Sequence, residues 1–84
     1  MKEIKVYTKN SCPYCTRIIA FFQQKNLAFE EIDLQDKPDE LKALKEKTGW
    51  RTVPQVFIDG KLIGGCDDTL ALDKSGELDK LLGL

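Results

Sequence analysis

Histidine is missing from this sequence altogether, and methionine and tryptophan occur once each. Without histidine, and with a third cysteine far downstream of the first two, the four ligands of a structural zinc site cannot be gathered within the chain. No metal site is expected. Charge of one sign is not in excess either: 13 basic residues face 14 acidic ones, for a net charge of −1. No whole-molecule field therefore draws nucleic acid. The longest apolar run, Ile18 to Phe22, falls far short of the roughly 20 residues that span a bilayer. The opening Met1-Lys2-Glu3-Ile4 lacks the apolar core of a secretion signal. Three cysteines are too few, and the wrong parity, for a secreted disulfide scaffold. A reducing compartment, the cytoplasm, is expected, and there a retained cysteine pair needs a chemical reason.

What is present reads as one domain over residues 1–84, without repeats, linkers or low-complexity stretches. Residues 3–8, "EIKVYT", set Ile4, Val6 and Thr8 on one side and Lys5 and Tyr7 on the other, as in a half-buried strand. "TRIIAFFQQKN" places Cys15, Ile18, Ile19 and Phe22 at helical spacing, with Asn26 as a stop. "AFEEIDL", residues 28–34, predicts a second strand. "DKPDELKALKEKTG" predicts a helix opened by Pro38 and closed by Gly49. Asp59-Gly60 is the preferred dipeptide of a two-residue hairpin turn between Val56–Ile58 and Lys61–Ile63. From Asp67 onward a leucine-bearing helix is expected, broken near Ser75-Gly76. The order βαβ followed by ββα predicts an α/β fold: a four-stranded mixed sheet flanked by helices, its first two strands parallel and joined by a right-handed crossover. Ile18, Ile19, Phe22, Leu41, Leu44, Phe57 and Leu81 are the expected core.

The chemistry concentrates in "KNSCPYCTR", residues 9–17. A copper-handling Cys-x-x-Cys module should carry a methionine beside the pair, and Met1 is the only one. A purely structural disulfide closing so short a loop restrains the unfolded chain little. Redox exchange fits better, because the pair follows a strand and opens a helix inside a βαβ unit. With Cys12 as N-cap, Pro13 falls at the first helical position, where its missing N–H costs nothing. The Cys12 sulfur then faces free backbone N–H groups and the positive end of the helix dipole, and Lys9 and Arg17 add positive potential. These influences favour the thiolate, which is the nucleophile. Cys15, one turn further on and more buried, stays protonated and resolves the mixed disulfide that Cys12 forms.

"CPYC" at 12–15, "RTVP" at 51–54 and "GGCDD" at 64–68, in this order and at these separations, resemble a dithiol glutaredoxin of the compact bacterial type, across essentially the whole chain. Thioredoxins proper are less similar, since their active-site dipeptide is usually Gly-Pro. Monothiol relatives lack the second cysteine. The resemblance implies a thioredoxin-like fold, catalysis by Cys12 and Cys15, and glutathione as co-substrate, with no tightly bound cofactor. It also implies that Val53, before a cis Pro54, pairs backbone to backbone with the glutathione cysteine. Sequence alone gives a cis X–Pro bond only about a 5–6% chance, and a proline there also suits a plain strand entry. Lys9 and Arg51 are the implied partners of the glycyl carboxylate, the arginine by a forked hydrogen bond, although either residue taken singly reads as a solvated charge. Thr52 belongs to the same segment. Gly65, Cys66, Asp67 and Asp68 look like the turn that receives the γ-glutamyl end, one aspartate capping the helix and the other serving the ligand. Tyr14 is expected beside the glutathione, its rival role being a packed aromatic. Cys66 either lines the pocket through its backbone or forms an adventitious disulfide under oxidation, its plainer reading being a half-buried, inert thiol; Trp50 reads as packing.

The resulting expectation is a glutathione-dependent thiol–disulfide oxidoreductase. It acts on protein disulfides and protein–glutathione mixed disulfides, ribonucleotide reductase being a candidate substrate, as a monomer with no nucleic-acid or membrane partner. Two alternatives stand beside it: a redoxin reduced by a flavoenzyme, and a dimer holding an iron–sulfur cluster through Cys12 and glutathione.

Overall fold

The structure, a computed structural model, describes residues 2–84. Its elements run β1 (Ile4–Thr8), α1 (Pro13–Gln24), β2 (Glu30–Asp33), α2 (Pro38–Thr48), β3 (Gln55–Ile58), β4 (Lys61–Gly64), α3 (Cys66–Ser75) and α4 (Glu77–Leu82). The four strands form one sheet in the order β2-β1-β3-β4. β1 and β2 are parallel, while β1/β3 and β3/β4 are antiparallel. This is the mixed sheet the sequence predicts, and the fold is the thioredoxin-like α/β arrangement.

β1 alternates as read. Ile4, Val6 and Thr8 are buried and Lys5 and Tyr7 are half-buried. On the buried side Ile4, Val6, Val56 and Ile58 of the sheet meet Ile18 and Phe22 of α1, Cys66 of α3 and Leu78 and Leu82 of α4 in one core. Ile19 and Leu81 pack at its margin. Three expected core residues lie outside this cluster. Phe57 alternates to the opposite face of the sheet, where its ring meets Tyr7 edge-on at 5.4 Å. Leu41 is only half-buried and lines a surface groove with Pro38 and Arg51. Of the α2 stripe, Leu44 alone is buried.

β2 is shorter than residues 28–34. Its partner β1 offers only Lys5 to Thr8 for pairing, so the ladder ends with Leu34 N–H donating to the Thr8 carbonyl at 2.9 Å. The hairpin turn has left-handed Asp59 (φ 54°) and Gly60 (φ 81°), the conformation that favours Asp-Gly. β4 carries one extra residue, since Val56 pairs with Gly64 but Phe57 with Leu62, which leaves Ile63 as a bulge. α2 begins with Pro38 and ends on left-handed Gly49, with Asp39 and Glu40 in its first turn and Lys45 and Lys47 in its last, all matched to the helix dipole. Gly76 separates α3 from α4. Among the described residues no helix is long and apolar enough to cross a membrane.

Candidate active site

The chain leaves β1 through Ser11 in left-handed conformation (φ 56°) and enters α1 at Cys12, which is the N-cap with extended backbone angles. Pro13 takes the first helical position. The Cys12 sulfur accepts the backbone N–H of Cys15 at 3.1 Å. That amide is one of the four that an α-helix leaves without an internal partner. No carboxylate occupies the first turn of α1, so the positive end of its dipole is left to the sulfur. Cys12 and Cys15 are joined as a disulfide, their Cα atoms 5.2 Å apart. Cys15 is buried at 4% exposure, while Cys12 is half-buried and open to attack. The expected asymmetry between an accessible first sulfur and a shielded second one is present.

The Val53–Pro54 bond is cis, and the Val53 carbonyl stands 3.7 Å from the Cys12 sulfur. Beside it lies a groove of about 380 Å³ lined by Tyr14, Trp50, Thr52, Val53, Pro54, Gly65, Cys66, Asp67 and Asp68. Eight of the residues singled out from the sequence therefore line one surface. Tyr14 is 51% exposed, and the Arg17 guanidinium sits 5.6 Å from its ring centroid, so it both packs and offers a free face. Lys9 and Arg51 do not line this groove. Lys9 faces a neighbouring groove with Ser11, Cys15 and Glu31. Arg51 faces another with Leu41 and Lys45.

At the far end, Gly64 and Gly65 turn the chain from β4 into α3. Gly65 N–H donates to Asp68 Oδ2 at 3.0 Å, so Asp68 is the capping aspartate and Asp67 is left exposed. Gly64 sits at φ 139°, and a Cβ there would lie 2.7 Å from that of Asp68. Only glycine fits against this cap. Cys66 is 3% exposed and free. Burial pushes its thiol pKa up, the Asp67 carboxylate adds to this, and Arg17 offsets part of it. It is buried, not half-buried as the sequence reading has it, because the start of α3 packs into the main core.

Two residues carry more than the sequence suggested. Gln55 is fully buried in a strand of apolar neighbours. Its Nε2 donates to the carbonyls of Trp50 at 2.9 Å and Thr52 at 3.3 Å, which ties down the turn carrying Arg51. The signal was available: a lone amide inside "VPQVFI" must find partners once buried. Trp50 packs as expected, but its ring also walls the groove near Gly65, and its Nε1 is buried without a partner among the described residues.

A sheet of this order, with a cysteine pair capping the first helix and a cis proline facing it, defines a thiol–disulfide oxidoreductase of the thioredoxin-like class. The family model for glutaredoxin matches residues 4–63. Glutaredoxin 3 of Escherichia coli K12 is 43% identical over 82 residues, spanning 98% of this chain and 99% of that one. Glutaredoxin-C6 of Oryza sativa subsp. japonica is 52% identical over 82 residues, spanning 94% of this chain and 73% of its own. Among solved structures, a buckwheat glutaredoxin–glutathione complex superposes with a TM-score of 0.88 at 37% identity, covering 98% of this chain and 77% of that one. The chain belongs to the glutaredoxin family, glutathione-dependent disulfide oxidoreductases with a Cys-x-x-Cys redox pair, here Cys12 and Cys15.

Proposed function

We propose that this protein uses its Cys-Pro-Tyr-Cys dithiol to reduce both protein disulfides and protein–glutathione mixed disulfides, with glutathione as the electron source. The observation that carries the reading is the Cys12 sulfur held on a free helix amide beside a groove of tripeptide size. In the monothiol route the Cys12 thiolate attacks the glutathionyl sulfur, the substrate sulfur leaves as a thiolate and takes a proton, and a second glutathione thiolate then releases glutathione disulfide. In the dithiol route Cys15 loses its proton, attacks the Cys12 sulfur and frees the reduced substrate. Two glutathiones then reset the Cys12–Cys15 disulfide.

Glutathione is assigned to the groove with its cysteine paired to the Val53 backbone and its γ-glutamyl end at Gly65, Cys66, Asp67 and Asp68, where the start of α3 meets the carboxylate. Tyr14 and Thr52 flank the middle. Lys9 and Arg51 line separate grooves and are assigned to the glycyl carboxylate, toward which their long side chains would have to turn. We take the protein to be a one-domain monomer of a reducing compartment such as the cytoplasm, with no resident cofactor. Replacing Cys15 by Ser tests the division of labour. Turnover of a small glutathione mixed disulfide should stay within about threefold of wild type, while dithiol reduction of a protein disulfide should fall by more than about a hundredfold. Parallel loss of both activities would refute it.

A further inference from the structure

We propose that the groove beside α2 takes an acidic stretch of a disulfide-bearing polypeptide, on the C-terminal side of the cysteine that Cys12 attacks. The inference rests on the glutathione assignment above and specifies which polypeptides the same site accepts. The Trp50–Thr52 turn alternates in direction: Trp50 and Thr52 line the glutathione groove, and Arg51 between them lines its neighbour. That neighbour has a volume of about 540 Å³, with Pro38 and Leu41 among its apolar lining and Lys42, Lys45 and Arg51 set against one carboxylate, Glu46. None of the ion pairs among the described residues involves those three cations. Lys42 and Lys45 are three apart on α2 and so stand side by side. The opposite end of the glutathione groove carries Asp67 and Asp68. A path from α3 past Cys12 to α2 therefore runs from negative to positive.

Glutathione placed with its glutamyl end at Gly65 and its glycyl carboxylate toward Arg51 follows that polarity. A polypeptide paired to the same Val53 backbone runs in the same direction. Residues after its cysteine pass Arg51 and enter the α2 groove, where acidic side chains meet unpaired cations. Residues before its cysteine meet Asp67 and Asp68, where acidic side chains are repelled. The reaction is unchanged. Cys12 breaks the substrate S–S bond, the departing sulfur takes a proton, and Cys15 closes onto Cys12, so that two electrons pass to the substrate.

The test uses symmetric disulfide dimers of a short peptide with both ends blocked, carrying two glutamates after the cysteine, two glutamates before it, or two lysines after it. Glutathione-coupled reduction should favour the first over both others by about three- to tenfold in kcat/KM at low salt, the range expected of two partly exposed charge pairs. The preference should fade toward 1 M salt, where the Debye length is about 3 Å. The double variant Lys42→Glu/Lys45→Glu should reverse the order, preferring lysines after the cysteine, and should keep the wild-type rate on the glutathione–2-mercaptoethanol mixed disulfide. A double variant that reduces the glutamate-after peptide as fast as wild type overturns the proposal. A wild-type protein inactive on the small mixed disulfide overturns instead the glutathione assignment beneath it.

Discussion

Two helices begin at the active site, and they treat their free amides in opposite ways. α3 supplies its own negative charge: Asp67 and Asp68 sit in its first turn, and the Asp68 carboxylate accepts the Gly65 N–H at 3.0 Å. α1 has no acidic residue in its first turn, and a sulfur accepts the amide of Cys15 at 3.1 Å. A carboxylate cap is permanent and stabilising. A sulfur cap becomes fully charged only when the disulfide opens, and the helix then stabilises the form that reacts. One helix start carries its own carboxylate cap, the other leaves its amides to the reacting sulfur, and the sequence distinguishes them by where it withholds aspartate.

The largest way to break the contrast is Cys12→Ser. It removes the more accessible nucleophile of the pair and should lower glutathione-coupled reduction by more than about a thousandfold, as losses of an attacking atom do. Asp68→Ala acts on the other helix. It should cost about 0.5–2 kcal/mol of stability, read as a drop of several degrees in Tm, with the rate of Cys12 alkylation at neutral pH unchanged. Thr16→Glu makes α1 resemble α3. A carboxylate in the first turn competes with the thiolate for the dipole, worth about 0.3–1 kcal/mol, so alkylation of reduced Cys12 should slow about two- to fivefold near pH 6. An unchanged rate would remove the dipole from the account of its reactivity.

The smallest effect lies at the other ends of the same two helices, where Lys25 donates to Asp73 at 2.6 Å. That hydrogen bond raises the Lys25 pKa, against a lesser opposing effect of burial. A raised ammonium pKa stabilises the fold below the ordinary lysine value of about 10.4, and the contribution is lost as pH rises through the folded value. Lys25→Gln should therefore lower Tm slightly at neutral pH, and the difference from wild type should close in strong alkali.

Local rules made most of the architecture legible. Pro13 and Pro38 at first helical positions, Gly49 and Gly76 at helix ends and Asp59-Gly60 at the hairpin each have one backbone conformation that suits them, and each is found in it. The Cys12 cap followed from the same reasoning. What stayed hidden depends on which way a side chain faces after a turn. Phe57 is among the expected core residues, yet in β3 it points to the face opposite Val56 and Ile58. Arg51 sits in the same motif as Thr52 but on the other side of the turn, and no pattern in "WRTVP" reveals that. The clamp by Gln55 spans three to five residues across a cis bond, beyond the reach of helix or strand periodicity.

The placement of Trp50 has a practical outcome. It is the sole indole in the chain, and it borders the cleft next to the redox pair. Excitation at the red edge of the indole band, where Tyr7 and Tyr14 do not absorb, thus interrogates one location, so titration with tripeptide should change the intensity or colour of its emission, giving an unlabelled optical readout of docking that is independent of turnover.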